Sequence, residues 1–182
     1  MGYTETDQND RVIVEGQGDT ALRAIMFTDI EGSTAVSATQ GDSAAMELVH
    51  QHDQVVRSAL DKHGGRIVKH TGDGMFASFT SVMRAVEASI AIQRGASGDE
   101  GPLAVKIGIT VGEPVEDSDD LFGASVNLAA RICAHAAGGQ TLAPGTVKDL
   151  AIGKQIEFRG MGEIGLKGFP EPVPLYEIGW SG

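Results

Sequence analysis

The sequence has little of three things: cysteine, basic charge and long apolar runs. A single cysteine, Cys133, excludes an intrachain disulfide. No Cys/His spacing matches a structural zinc site either, so a reducing compartment is expected. Lys and Arg number 14 against 25 Asp and Glu, a formal net charge of -11. That balance repels polyphosphate backbones and argues against an electrostatically driven nucleic-acid binder. An anionic ligand would need accompanying metal ions. No apolar run approaches the roughly 18 residues of a membrane span. The opening residues MGYTETDQND hold neither a basic nor an apolar signal region. Together these absences predict a cytoplasmic protein without membrane insertion.

What is present is enough for one domain with a real core, at 182 residues of which 41% are apolar. The 25 glycines stand well above the usual share of about 7% and fall mostly between periodic segments. Residues 1–19 are polar, acidic and aperiodic and read as a tail, leaving 20–182 as the domain. Leu22 to Ile30 reads as a buried strand ending near Asp29 and leading into a helix. Asp42 or Ser43 is expected to cap a long amphipathic helix that stops at Gly64 and Gly65. Arg66 to Thr71 and Met75 to Phe79 flank Gly72-Asp73-Gly74, a hairpin signal with Asp73 at its tip. A helix capped by Thr80 or Ser81 follows, then a loop over residues 95–102. The alternation of Val105, Ile107, Ile109 and Val111 is a half-buried strand. An acidic loop over residues 116–120 leads into an alanine-rich helix ending near Gly138. Short strands and a small helix near Val147 to Ala151 complete the chain, and no internal repeat appears. This order predicts an α+β, ferredoxin-like split βαβ (palm-like) domain with additional C-terminal strands.

Three residue constellations could carry chemistry. In a split βαβ sheet the first strand neighbours the hairpin, so Asp29 and Asp73 can converge as oxygen ligands for hard cations. Each alone is commoner as a turn former or cap. Gly32, Ser33 and Thr34 open a helix whose free N–H groups could hold phosphate. Asn127 and Arg131 stand one helical turn apart on one face, an amide beside a guanidinium that could stabilise phosphoryl charge. Lys69 and Asp120 offer a donor and an acceptor, complementing the Watson–Crick edge of adenine. Guanine inverts that pattern and would leave buried groups unpaired, at about 1–3 kcal/mol each. Taken singly, Lys69 reads as a solvated strand residue and Arg131 as a surface one.

Four segments carry a family resemblance: TDIEGST (Thr28 to Thr34), VKHTGDG (Val68 to Gly74), DLFGASVNLAAR (Asp120 to Arg131) and LKGFPEPVPLYEI (Leu166 to Ile178). In this order and spacing they closely resemble class III nucleotidyl cyclase catalytic domains of the bacterial type, over about Leu22 to Ile178. The resemblance implies that Asp29, Asp73 and the Ile30 carbonyl hold two divalent cations, Mg²⁺ or Mn²⁺. It implies that Lys69 and Asp120 read adenine, Asn127 places the ribose, Arg131 stabilises the transition state and Lys167 binds triphosphate. The implied activity is adenylate cyclase, making 3′,5′-cyclic AMP and pyrophosphate from ATP. The implied assembly is a head-to-tail homodimer with each site shared between chains. Ser33 stands where animal relatives usually carry phenylalanine, and the regulatory input or partner is left open.

Other signals are discounted. Gly160-Met161-Gly162-Glu163-Ile164-Gly165 fits a dinucleotide-binding pattern but leads towards prolines, so a hairpin is expected. His50, His52, His63, His70 and His135 lack metal-ligand spacing and read as surface or packing residues. Cys133 reads as core. The rival functions are a haloacid dehalogenase-type phosphatase with Asp29 as nucleophile, a silent nucleotide-binding regulator, and a guanylate cyclase. A diguanylate cyclase would show Gly-Gly-Asp-Glu-Phe at the hairpin, where this chain has Thr71-Gly72-Asp73-Gly74-Met75.

Overall fold

A computed structural model describes residues 21–98 and 103–181. The expected tail and the end of the 95–102 loop lie outside those residues. The elements run β1 (Arg23–Ile30), α1 (Ser33–Gln40), α2 (Asp42–His63), β2 (Arg66–His70), β3 (Met75–Phe79), α3 (Val82–Ala96) and β4 (Val105–Gly112). They continue with β5 (Val115–Asp117), β6 (Asp120–Phe122), α4 (Ala124–His135), β7 (Thr141–Pro144), α5 (Gly145–Leu150), β8 (Phe158–Ile164) and β9 (Val173–Ile178). Seven strands form one sheet in the order β2-β3-β1-β4-β7-β9-β8. Its first four positions are those of the expected split βαβ unit. The remaining three strands are the C-terminal addition, joined through the parallel β4–β7 pair.

Period-two burial in β1 divides the core between the two faces of the sheet. Ala24, Met26 and Ile30 pack with Val56, Ala59 and Leu60 of α2 and with Val86 and Ile92 of α3. Ile25 turns the other way, onto Phe76, Leu121, Val126 and Ala129, with α4 above it. The α3 residues Ala85, Val86, Ala88, Ser89, Ile92, Gln93 and Ala96 are buried at helical spacing. Ser81 caps that helix, its side chain accepting from the Arg84 N–H at 3.3 Å.

Some local expectations are corrected. The cap of α2 is Gly41 (φ 89°), and Asp42 is already helical, where its charge favours the helix N-terminus. Ser37 donates to its carboxylate at 2.7 Å. Residues 116–120 are not a loop: β5 and β6 pair as a hairpin whose tip, Ser118 (φ 52°) and Asp119 (φ 66°), has the two positive φ angles that match strand twist. As expected, the glycine-rich 160–165 segment belongs to a hairpin: it lies mainly in β8, on one arm of β8–β9, with an irregularity between Gly160 and Gly162. The reading of His52 as a surface or packing residue holds on its second alternative, since it is fully buried.

Helix α4 rides very close to the sheet. A Cβ at Gly108 in β4 would stand 2.5 Å from both the Ala129 carbonyl oxygen and the Cys133 nitrogen. Backbone of that kind cannot swing aside, so Gly108→Ala is expected to cost about 1–3 kcal/mol and to shift α4. Thermal melting followed by circular dichroism checks this, and an unchanged midpoint would contradict the close packing.

Candidate functional site

Asp29 sits near the end of β1, which is hydrogen-bonded to β3 on one side and β4 on the other. The site therefore stands on a central strand, where backbone position is set by two neighbours. The register that pairs Thr28 with Met75 brings the 71–74 turn against the end of β1. Gly74 makes this approach possible, since a Cβ there would lie 2.0 Å from the Thr28 carbonyl oxygen. Asp73, at the turn, hydrogen-bonds the Asp29 carboxyl and accepts from the Ser33 hydroxyl. Gly32 takes φ 78° and turns the chain from β1 into α1, which starts at Ser33 with no side chain capping it.

The surroundings push the two carboxyl groups in opposite directions. Burial raises the Asp29 pKa, and the hydrogen bond with Asp73 raises it further against the pull of Lys106. Burial also pushes Asp73 upward, but hydrogen bonds from Ser33 and Asp29 outweigh it and hold Asp73 below the ordinary carboxylate range. Lys106, opposite Asp29 in β4, places Nζ 3.0 Å from Asp29 Oδ2. Burial works against its charge, yet the Asp29 carboxylate keeps its pKa above the usual lysine value.

The donor set fits a hard cation. Asp29 and Asp73 offer carboxylate oxygens only. Among the described residues no group of three or more His, Cys, Asp or Glu gathers to hold a metal. Two carboxylates leave coordination positions for water and phosphate oxygens, as Mg²⁺ requires.

A second group lies around a cavity of about 440 Å³ lined by Phe27, Lys69, Phe76, Phe122 and Asn127, among others. Lys69 Nζ contacts Asp120 Oδ2 at 2.5 Å and lies 5.9 Å and 5.8 Å from the ring centres of Phe76 and Phe122. The hydrogen bond from Lys69 lowers the Asp120 pKa, with the Leu121 N–H adding to it. Phe27 and Phe76 stack with ring centres 4.5 Å apart. Asn127 and Arg131 are both exposed on α4, and Lys167 is exposed in the connection between β8 and β9.

Structure thus brings Asp29, Asp73 and Ser33 together, and separately Lys69, Asp120 and Asn127. The two groups line different cavities: Asp73 belongs to one of about 570 Å³ with Ser33, Thr34 and Gly72. Sequence reasoning missed Lys106 and the aromatic walls Phe27, Phe76 and Phe122. The available signal was a lysine within the apolar alternation of β4. Cys133 is buried and its thiol is pushed up to about 12 by that burial, so it is no nucleophile.

Comparison with known proteins gives this arrangement a family. The model of the adenylate and guanylate cyclase catalytic domain matches residues 17–178. The chain belongs to that family. An uncharacterized protein of Mycobacterium tuberculosis is 31% identical over 164 residues, covering 88% of this chain and 43% of its own length. An adenylate cyclase of Mycosarcoma maydis is 34% identical over 164 residues, covering 74% of this chain and 6% of its own. The cyclase domain thus spans less than half of either relative. Among solved structures, an adenylate cyclase of Trypanosoma brucei superposes with TM-score 0.80 at 24% identity, covering 90% of this chain and 92% of that one. The adenylyl cyclase CyaB of P. aeruginosa gives TM-score 0.75 at 25% identity, covering 88% and 94%. This cyclase domain has no helix among the described residues long and apolar enough to cross a membrane.

Proposed function

We propose that the chain is an adenylate cyclase acting as a head-to-tail homodimer, with Asp29 and Asp73 of one subunit facing Lys69, Asp120, Asn127, Arg131 and Lys167 of the other. The observation that carries the purine assignment is the Lys69–Asp120 pair at the rim of an aromatic cavity. The pair donates to N1 of adenine and accepts from its exocyclic amine, while Phe27, Phe76 and Phe122 give the cavity an apolar lining suited to a base. In guanine the same positions carry a donor and an acceptor reversed, leaving both protein groups unpaired.

The ribose 3′-oxygen attacks the α-phosphorus, the bond to the β-phosphate oxygen breaks, and the hydroxyl proton passes to solvent. Nucleophile and phosphorus share one molecule, so the protein's task is orientation and charge stabilisation. Asn127 orients the ribose, and Arg131 stabilises charge growing on the phosphoryl oxygens. Lys167 and the N–H groups after Gly32 hold the β- and γ-phosphates. Asp29, Asp73 and the Ile30 carbonyl would hold two divalent cations, Mg²⁺ or Mn²⁺, which when bound acidify the attacking hydroxyl and neutralise the leaving group.

The test is product formation from ATP and from GTP by purified protein with Mn²⁺, across protein concentration. Cyclic AMP is expected as the main product, rising more than linearly with concentration. Asp120→Ala is expected to reduce kcat/KM for ATP by roughly 10-fold or more and to narrow the preference over GTP. Cyclic GMP as main product from the unaltered chain would reverse the purine assignment. Nucleotide binding without turnover by a folded dimer would instead support a regulatory role.

A further inference from the structure

Behind the two carboxylates lies a hydrogen-bonded chain that none of the roles above uses. His52, in α2, is fully buried. Its Nε2 lies 2.9 Å from Thr28 Oγ1, and its Nδ1 lies 3.1 Å from Asp53 Oδ1. Burial holds the imidazole neutral by lowering its pKa. A carboxylate only accepts, so Nδ1–H donates to Asp53 and Nε2 accepts the Thr28 hydroxyl proton. The Thr28 oxygen then accepts the Met75 N–H at 3.1 Å. Asp53 reaches onward to His70, Nδ1 to Oδ2 at 3.6 Å, and His70 Nε2 meets Arg57 at 2.8 Å.

The placement of these bonds is what matters. Thr28 immediately precedes Asp29, and Met75 begins β3 just past Asp73. His70 ends β2 on the other side of the same turn. One side-chain oxygen therefore ties the end of β1 to the start of β3, and a buried imidazole anchors that oxygen to α2. The backbone at Gly74 already presses on the Thr28 carbonyl. We infer that Thr28 and His52 are positioning residues that fix Asp73 against Asp29, so that affinity for divalent cations depends on their hydrogen bond. This rests on the proposed reading of Asp29 and Asp73 as metal carboxylates. Groups that orient metal ligands from behind commonly carry a sizeable share of the affinity.

Binding of Mn²⁺ to the full chain without nucleotide, followed by calorimetry and by loss of the free-ion electron paramagnetic resonance signal, tests this. The unaltered chain and Asp73→Ala come first. If the former does not bind, or Asp73→Ala binds equally, the metal reading itself fails. Given Asp73-dependent binding, Thr28→Val, which keeps the shape and removes the hydroxyl, is expected to weaken affinity roughly 10-fold. Thr28→Ser, which keeps the hydroxyl, is expected to remain within about threefold of the unaltered chain. His52→Leu is the second probe and is expected to weaken binding as Thr28→Val does. Unaltered Mn²⁺ affinity in either folded variant overturns the inference. So does a Thr28→Ser variant as weak as Thr28→Val, or loss of fold in both Thr28→Val and His52→Leu, which would make the pair purely structural.

Discussion

Asp73→Ala is expected to lower cyclic-nucleotide formation by about 10³-fold or more, roughly 4 kcal/mol of barrier, while the protein stays folded. Asp73 sits in the turn between β2 and β3, where its side chain is held by Ser33 and Asp29. It is only part-buried, so truncation opens no large core void. What it removes is half of the carboxylate charge. Asp29 would remain with Lys106 at 3.0 Å as its nearest cation. Among the described residues no further acidic side chain gathers there to take over. Asp73→Asn separates charge from shape, because an amide oxygen can still accept from Ser33 but carries no charge. Both variants are expected to lose activity together, with saturating Mn²⁺ recovering little of it. Product assays beside far-ultraviolet circular dichroism check this, and an Asp73→Asn enzyme within a factor of about ten of the unaltered one would remove Asp73 from the proposed metal site.

Mixing two inactive variants is expected to restore activity. In a single chain the Asp73 group and the Lys69 group line different cavities. Head-to-tail pairing of two copies would place one group of each chain opposite the other group of its partner. Asp29→Ala and Arg131→Ala homodimers then carry two damaged sites each. A heterodimer concentrates both lesions in one site and leaves the other intact. After free exchange half of the dimers are mixed, with one good site of two, so recovery approaches roughly a quarter of unaltered activity. Arg131 suits the experiment because it is an exposed residue on α4, and its truncation leaves the core untouched. Absence of recovery in a mixture shown by mass spectrometry to contain heterodimers would contradict the shared site.

The legible parts of the sequence were those where local chemistry and fold agree. The apolar run of β1, the alternation of β4, the stop at Gly64 and the Gly72-Asp73-Gly74 turn each signal an element within a few residues. Their order alone implies a split βαβ sheet, a topology that sets the end of the strand bearing Asp29 beside the hairpin bearing Asp73. The β5–β6 hairpin was not legible. Asp117-Ser118-Asp119-Asp120 has no apolar alternation, and its positive φ angles fall on Ser118 and Asp119 where no glycine marks them. Lys106 has no reading in the sequence, and His52 reads only as a surface or packing residue, for a related reason. A lysine in a strand and a histidine in a helix have no local signature of their partners, which come from strand register and helix packing.

The sequence by itself therefore determined the family, the element order and which acidic, basic and amide side chains are available for chemistry, because motif spacing and hydrophobic period are local properties. Tertiary structure alone decided that Lys106 faces Asp29, that the Thr28 hydroxyl meets both His52 and the Met75 N–H, and that three phenylalanines line the cavity beside Lys69. Those are contacts between residues far apart in the chain, and their distances are set by sheet register and by how closely α2 and α4 pack onto its two faces.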